Sequence, residues 1–313
     1  MTKFSGWLLL SVLWIGQAFA QPENYTKQPG VAGKLTSVGS DTMANLVGLW
    51  SQSFKTLYPH VTFQLQASGS STAPPALTEG TANIGPMSRE LKASELNYFR
   101  RTFGYDPVVI KVAVDAIAIF VDHKNPLPGL NLQQVDAIFS ATRFCGAPQS
   151  VNSWSQLGTE LPGLHGQIKL YGRNAVSGTY GMFKRDALCD GDFKATVNEQ
   201  PGSASVVQSV AYSNGAIGYA GFGYKTAGVR ALPIALEGTQ YVAVNSENIA
   251  SGDYPLSRYL YIVVNKPPGK SLPLLVQEFL RFVLSPEGQQ VVRKEGYVPI
   301  PAQLVQQQLE TIL

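Results

Sequence analysis

Met43, Leu46, Val47, Trp50, Phe54 and Leu57 recur at the three-and-four spacing of a helix face, and Pro59 ends the run. Directly after it, Val61, Phe63, Leu65 and Ala67 alternate with polar residues, the period of a half-buried strand. The same exchange of patterns continues down the chain. It predicts further strands at 83–85, 110–121, 168–172, 216–220, 229–235 and 259–265, and helices at 93–101, 132–139, 178–188, 204–211, 272–284 and 286–294. Strands and helices in alternation predict an α/β protein with largely parallel sheets. Two segments, 108–122 and 256–265, are unusually long or bare of turn signals. If both cross between lobes, the first lobe comprises 34–114 plus 262–313 and the second 118–258, with the ligand between them. The other reading keeps each long strand inside one sheet.

Residues 1–20 stand outside this pattern. Lys3, an apolar stretch over 7–15 and the small-x-small Ala18-Phe19-Ala20 read as a signal peptide cleaved after Ala20, so the mature chain is expected to be exported. No Cys follows that site to carry a lipid, and no later window approaches the ~20 apolar residues of a membrane span, so a periplasmic protein is expected. A chain of 313 residues with 44% apolar and 14% charged residues is long enough for two domains and too apolar for disorder. Its net charge of +3, spread without a basic cluster, argues against a nucleic-acid partner. In an oxidising compartment the two cysteines, Cys145 and Cys189, are expected to pair; two buried thiols are the alternative. His60, His123 and His165 are isolated, and no metal motif accompanies them, so neither metal nor cofactor is expected.

Four segments between a strand and a helix share one composition, small, hydroxyl-bearing and Gly-rich: 39–42 (Gly-Ser-Asp-Thr), 68–72 (Ser-Gly-Ser-Ser-Thr), 87–90 (Met-Ser-Arg-Glu) and 173–179 (Arg-Asn-Ala-Val-Ser-Gly-Thr). A helix start offers unpaired N–H groups and partial positive charge, Gly lets backbone approach, and Ser or Thr adds a donor. Arg173 adds a planar fork for two oxygens of a tetrahedral anion. Singly, each segment reads more readily as a helix cap or turn than as a site. Their recurrence, at the strand ends where open α/β sheets bind ligands, is what points to an oxyanion cradle.

These residues resemble the periplasmic phosphate-binding protein of the phosphate-specific ABC transporter, as do 254–258 (Tyr-Pro-Leu-Ser-Arg) and the stretch from Ser285-Pro286-Glu287-Gly288 to Pro301. The resemblance spans essentially the whole mature chain and is strongest to the pseudomonad form, which shares the 202–208 run (Gly-Ser-Ala-Ser-Val-Val-Gln). It implies a two-lobed, class II periplasmic binding fold, each lobe a mixed, mostly parallel sheet flanked by helices, joined by two hinge strands. It further implies a monomer that binds inorganic phosphate by lobe closure, with no cofactor, and delivers it to membrane permease subunits. Carried over by motif, Ser40, Thr42, Met43, Ser70, Ser88, Arg173, Ser177, Gly178 and Thr179 are the implied phosphate ligands.

Position 88 departs from the pattern, because many relatives place there an Asp that accepts the proton of bound phosphate. Asp41 or Asp115 substituting for it, Arg89 binding the anion, and Arg89 pairing with one of these Asp residues to hold the hinge are the open alternatives. A sulfate- or molybdate-binding protein is the nearest competing function. A secreted phosphatase is the more distant one, since no G-x-S-x-G elbow, metal cluster or His beside a candidate Ser is present. An added adhesive role is compatible with the same fold.

Overall fold

The computed structural model describes residues 24–157, 164 and 166–313; the expected signal peptide and His165 lie outside these. The strands are β1 (Gly33–Val38), β2 (Val61–Gln66), β3 (Gly85–Met87), β4 (Val108–Asp122), β5 (Leu130–Asn131), β6 (Lys169–Arg173), β7 (Val197–Gln200), β8 (Ala216–Gly221), β9 (Val229–Ala231), β10 (Ile234–Ala235) and β11 (Ser257–Val264). The helices are α1 (Ala44–Leu57), α2 (Ala73–Thr78), α3 (Ala93–Phe103), α4 (Leu132–Phe139), α5 (Gly178–Ala187), α6 (Ser203–Tyr212), α7 (Ser246–Ser251), α8 (Leu274–Leu284), α9 (Pro286–Lys294) and α10 (Ala302–Ile312).

Two large apolar cores organise these elements. The first gathers Leu35, Leu46, Trp50, Phe54, Ile84, Phe279, Leu280, Val292 and Ile312, drawing on both ends of the described chain. The second gathers Ile138, Phe139, Trp154, Phe183, Ile217, Tyr219 and Ile234 from its middle. β4 serves both: Ile110, Val112 and Ala113 face the first core, Ile117, Ile119 and Val121 the second. The predicted run at 110–121 is thus a single 15-residue strand. β11 likewise places Leu260, Ile262 and Val264 in the first core, and Leu256, just before it, in the second.

Parallel and antiparallel pairing divide by position. β1 with β2, β6 with β7 and β8, and β5 with β10 run parallel, as strands joined through helices do. β4 and β11 run antiparallel to each other, and also to β8 and β3 respectively. One six-strand path, β3-β11-β4-β8-β6-β7, therefore ties the two lobes together.

Some expectations shift. The strand predicted at 229–235 is two strands in different sheets, β9 on β4 and β10 on β5, because Pro233 has no N–H to continue a ladder. The strand read at 83–85 forms at Gly85–Met87, and α10 was not anticipated, although Val305 and Ile312 form a buried stripe.

Cys145 and Cys189 form a disulfide across 44 residues of sequence. It ties the residues just after α5 to the loop after α4, and the described non-glycine residues with positive φ are Cys189 itself, its neighbour Asp190, and Arg143 two residues before Cys145. Closing a loop of this length stabilises by ~4 kcal/mol in the chain-entropy model. The Cys145→Ser/Cys189→Ser variant is therefore expected to melt well below the wild type yet keep its ligand affinity. Two titratable thiols in the unreduced wild-type protein would contradict the bond.

Candidate functional site

All four hydroxyl-rich segments converge between the two cores. Ser40, Thr42, Ser70, Ser88, Arg173, Ser177 and Thr179 are buried, an uncommon fate for so many polar groups in one place. The two sides meet directly. Thr42 Oγ1, just before α1, lies 2.9 Å from Thr179 Oγ1 in the first turn of α5. The Ser71 N–H donates to Val176 O at 3.1 Å. On the first-core side, Ser88 N–H donates to Ser70 Oγ at 3.0 Å, and the two hydroxyls are 3.3 Å apart.

Glycine makes these approaches feasible. A Cβ on Gly178 would collide with Ser70 Oγ and come within 2.6 Å of Ser88 Oγ. Gly69, at φ +125°, lies so close to Val176 that a Cβ would be 2.7 Å from its carbonyl oxygen. Ser177 caps α5, its hydroxyl accepting from the N–H groups of Thr179 and Tyr180 at 3.1 and 3.4 Å. The positive end of that helix is thereby aimed at the cage.

Arg173 closes β6 and is fully buried. Its Nη1 donates to Ser203 Oγ at 2.8 Å and lies 3.1 Å from Asp41 Oδ2; Nη2 donates to Pro201 O at 3.0 Å. Nε, also buried, has no partner among the described residues. Burial lowers the pKa of this guanidinium from its usual value, and the nearby Asp41 carboxylate opposes the fall. A buried guanidinium with an unpartnered Nε, paired with the residue next to Thr42, is chemically complementary to a tetrahedral oxyanion.

Asp115 and Arg258 face each other across the two long strands, β4 and β11. Arg258 donates from Nε and Nη2 to Asp115 Oδ2 at 3.0 and 2.7 Å, and from Nη1 to Ser88 O at 3.0 Å. Burial pushes the Asp115 carboxyl upward, while Arg258 and the N–H groups of Ala116 and Phe222 pull it down. This pair joins both strands to the turn that carries Ser88.

Arg89 corrects one expectation: it pairs with neither Asp41 nor Asp115. Both its Nη atoms bond Glu95 in the first turn of α3, at 2.8 and 2.6 Å, and Nη2 also donates to Ser71 Oγ at 2.9 Å. The nearer acid wins because the turn after β3 folds Arg89 onto the helix start six residues on. Ser203, Arg258, Tyr224 and Tyr297 were missing from the predicted set. The Tyr224 and Tyr297 hydroxyls donate to the carbonyls of Asp41 and Thr42 at 2.8 and 2.6 Å, pinning the start of α1.

Two α/β lobes joined by shared strands, with a buried hydroxyl-and-guanidinium cage between them, define a solute-binding protein of the two-lobed type. The chain belongs to the PBP superfamily, whose domain model matches residues 24–287, and within it to the PstS family of phosphate-binding proteins. It is 56% identical over 294 residues to the phosphate-binding protein PstS of Pseudomonas aeruginosa, covering 94% of this chain and 91% of that one. The phosphate-binding protein PstS of Bacillus subtilis is 28% identical, over 86% of this chain and 81% of its own. Among solved structures, a phosphate ABC transporter substrate-binding protein with bound phosphate from Clostridium perfringens superposes with a TM-score of 0.70. It is 26% identical, and the match covers 86% of this chain and all of that one.

Proposed function

We propose that this protein binds inorganic phosphate in the periplasm and hands it, by lobe closure, to the membrane permease subunits of an ABC importer, without catalysing any reaction. One observation carries the reading: Arg173, buried with an unpartnered Nε, is paired with Asp41 beside Thr42, whose hydroxyl meets that of Thr179 from the other side of the cage. The 56% identity to a phosphate-binding protein supplies the ligand. In this reading lobe one comprises 34–114 plus 262–313 and lobe two 118–258, the chain is monomeric, and cleavage follows Ala20.

The roles divide between the lobes. From lobe one, the Ser40, Thr42, Ser70 and Ser88 hydroxyls and the Met43 N–H donate to the anion; from lobe two, Arg173, Ser177, Gly178 N–H and Thr179 complete the shell. Each charge-assisted hydrogen bond contributes about 1.5–3 kcal/mol, so half a dozen exceed the ~8 kcal/mol of micromolar binding even after the anion is desolvated. Closure excludes water, which strengthens every one of these bonds, and it presents to the permease a surface that the open form lacks. Asp115 and Arg258 hold the hinge, and Arg89 braces the Ser71 segment.

Titration calorimetry with phosphate, sulfate and molybdate tests the reading, with phosphate expected to bind tightest. Tighter binding of either other anion would redirect it, and turnover of a chromogenic phosphate ester would overturn the absence of catalysis. Selectivity has its own test. A carboxylate at position 88 accepts the proton of HPO4²⁻ and repels fully ionised sulfate. Ser88→Asp is expected to raise the phosphate-to-sulfate affinity ratio about tenfold, equivalent to ~1.4 kcal/mol. An unchanged ratio would show that another acceptor already discriminates.

A further inference from the structure

Asp41 has no place among the anion contacts assigned above, yet it is bound to the opposite lobe at three points. Its Oδ2 lies 3.1 Å from Arg173 Nη1 and accepts the Ser203 N–H at 2.9 Å; its peptide carbonyl accepts from the Tyr224 hydroxyl at 2.8 Å. Ser203 opens α6 and Arg173 ends β6, so one carboxylate gathers the end of a strand and the start of a helix. Gly202 leaves the approach clear: a Cβ there would sit 3.0 Å from Asp41 Oδ1. With Nη1 shared by Asp41 and Ser203, and Nη2 held by Pro201, the guanidinium is fixed with its unpartnered N–H at Nε.

We propose that Asp41 is a cross-lobe latch and a positioning residue for Arg173, orienting the guanidinium and populating the closed form before any anion enters. The orienting role rests on the phosphate-binding reading; the latch does not. Asp41 and Arg173 are the described oppositely charged side chains that meet within the cage itself, since Asp115 and Arg258 pair across the hinge strands and Arg89 and Glu95 within lobe one. Bringing Asp41 and Arg173 together therefore requires the lobes to close. An amide at position 41 keeps the shape but gives up the charge.

Small-angle scattering of the anion-free protein, together with stopped-flow measurement of phosphate release, tests the proposal. Asp41→Asn is expected to be more expanded than the wild type without anion and to release phosphate at least about tenfold faster, the effect of losing ~1.4 kcal/mol. Gly202→Ala keeps the carboxylate but crowds it away from Arg173, and is expected to show the same expansion. A residue that merely supports the fold would lower the melting temperature of Asp41→Asn and leave its anion-free dimensions at the wild-type value. Wild-type dimensions in both variants, or an unchanged release rate in Asp41→Asn, would overturn the proposal. If the wild type bound no phosphate, the functional reading would fail by itself while the scattering comparison still decided the latch.

Discussion

Arg173→Ala loses phosphate binding by about a thousandfold or more in a calorimetric titration, whereas Ser40→Ala loses about tenfold or less. The contrast follows from what each side chain leaves behind. Ser40 contributes one neutral hydroxyl. Arg173 contributes the buried positive charge on the second-lobe side of the cage, and its removal also strands the Asp41 carboxylate that it neutralises. One charge-assisted bond from Nε at about 1.5–3 kcal/mol spans a factor of roughly ten to a hundred, and the carboxylate left buried without its partner adds the rest of the loss. Equal losses in the two variants would contradict the assigned roles.

Asp115→Ala destabilises the fold more than any substitution among the cage hydroxyls. The ion pair it breaks is almost completely buried, with the two side chains 1% and 3% exposed. Removing one partner leaves Arg258 charged and uncompensated, which costs about 3–5 kcal/mol. At roughly 2–4 °C per kcal/mol for a chain of this size class, the melting temperature is expected to fall by ~10 °C. Replacing Arg258 with Met in the same chain removes the stranded charge and is expected to recover much of the loss. A double variant that melts no higher than Asp115→Ala would show that hinge geometry, not the buried charge, dominates.

The cage was legible in the sequence because its chemistry is local. Ser40, Thr42, Ser70, Ser177 and Thr179 each sit in a short Gly-rich segment at an element boundary, and Arg173 ends a strand. Pairings between distant residues were not legible. Asp115 is visible as a single charge inside the otherwise apolar run 112–121 and Arg258 as the charge that precedes the apolar run 259–264, yet nothing local says that residues 143 positions apart stand opposite each other. The same holds for Asp41 and Arg173, and for the Tyr297 hydroxyl bonded to the Thr42 carbonyl. Arg89 went to Glu95 because a helix start six residues on was nearer than any acid across the cleft. α10 was missed because the Gln-rich run 306–308 dilutes its apolar stripe.

The first core takes Leu35 from β1 and Ile312 from α10. A contact between residues so far apart in sequence is costly in loop entropy, so this interior stays open until segments from both ends of the described chain have met.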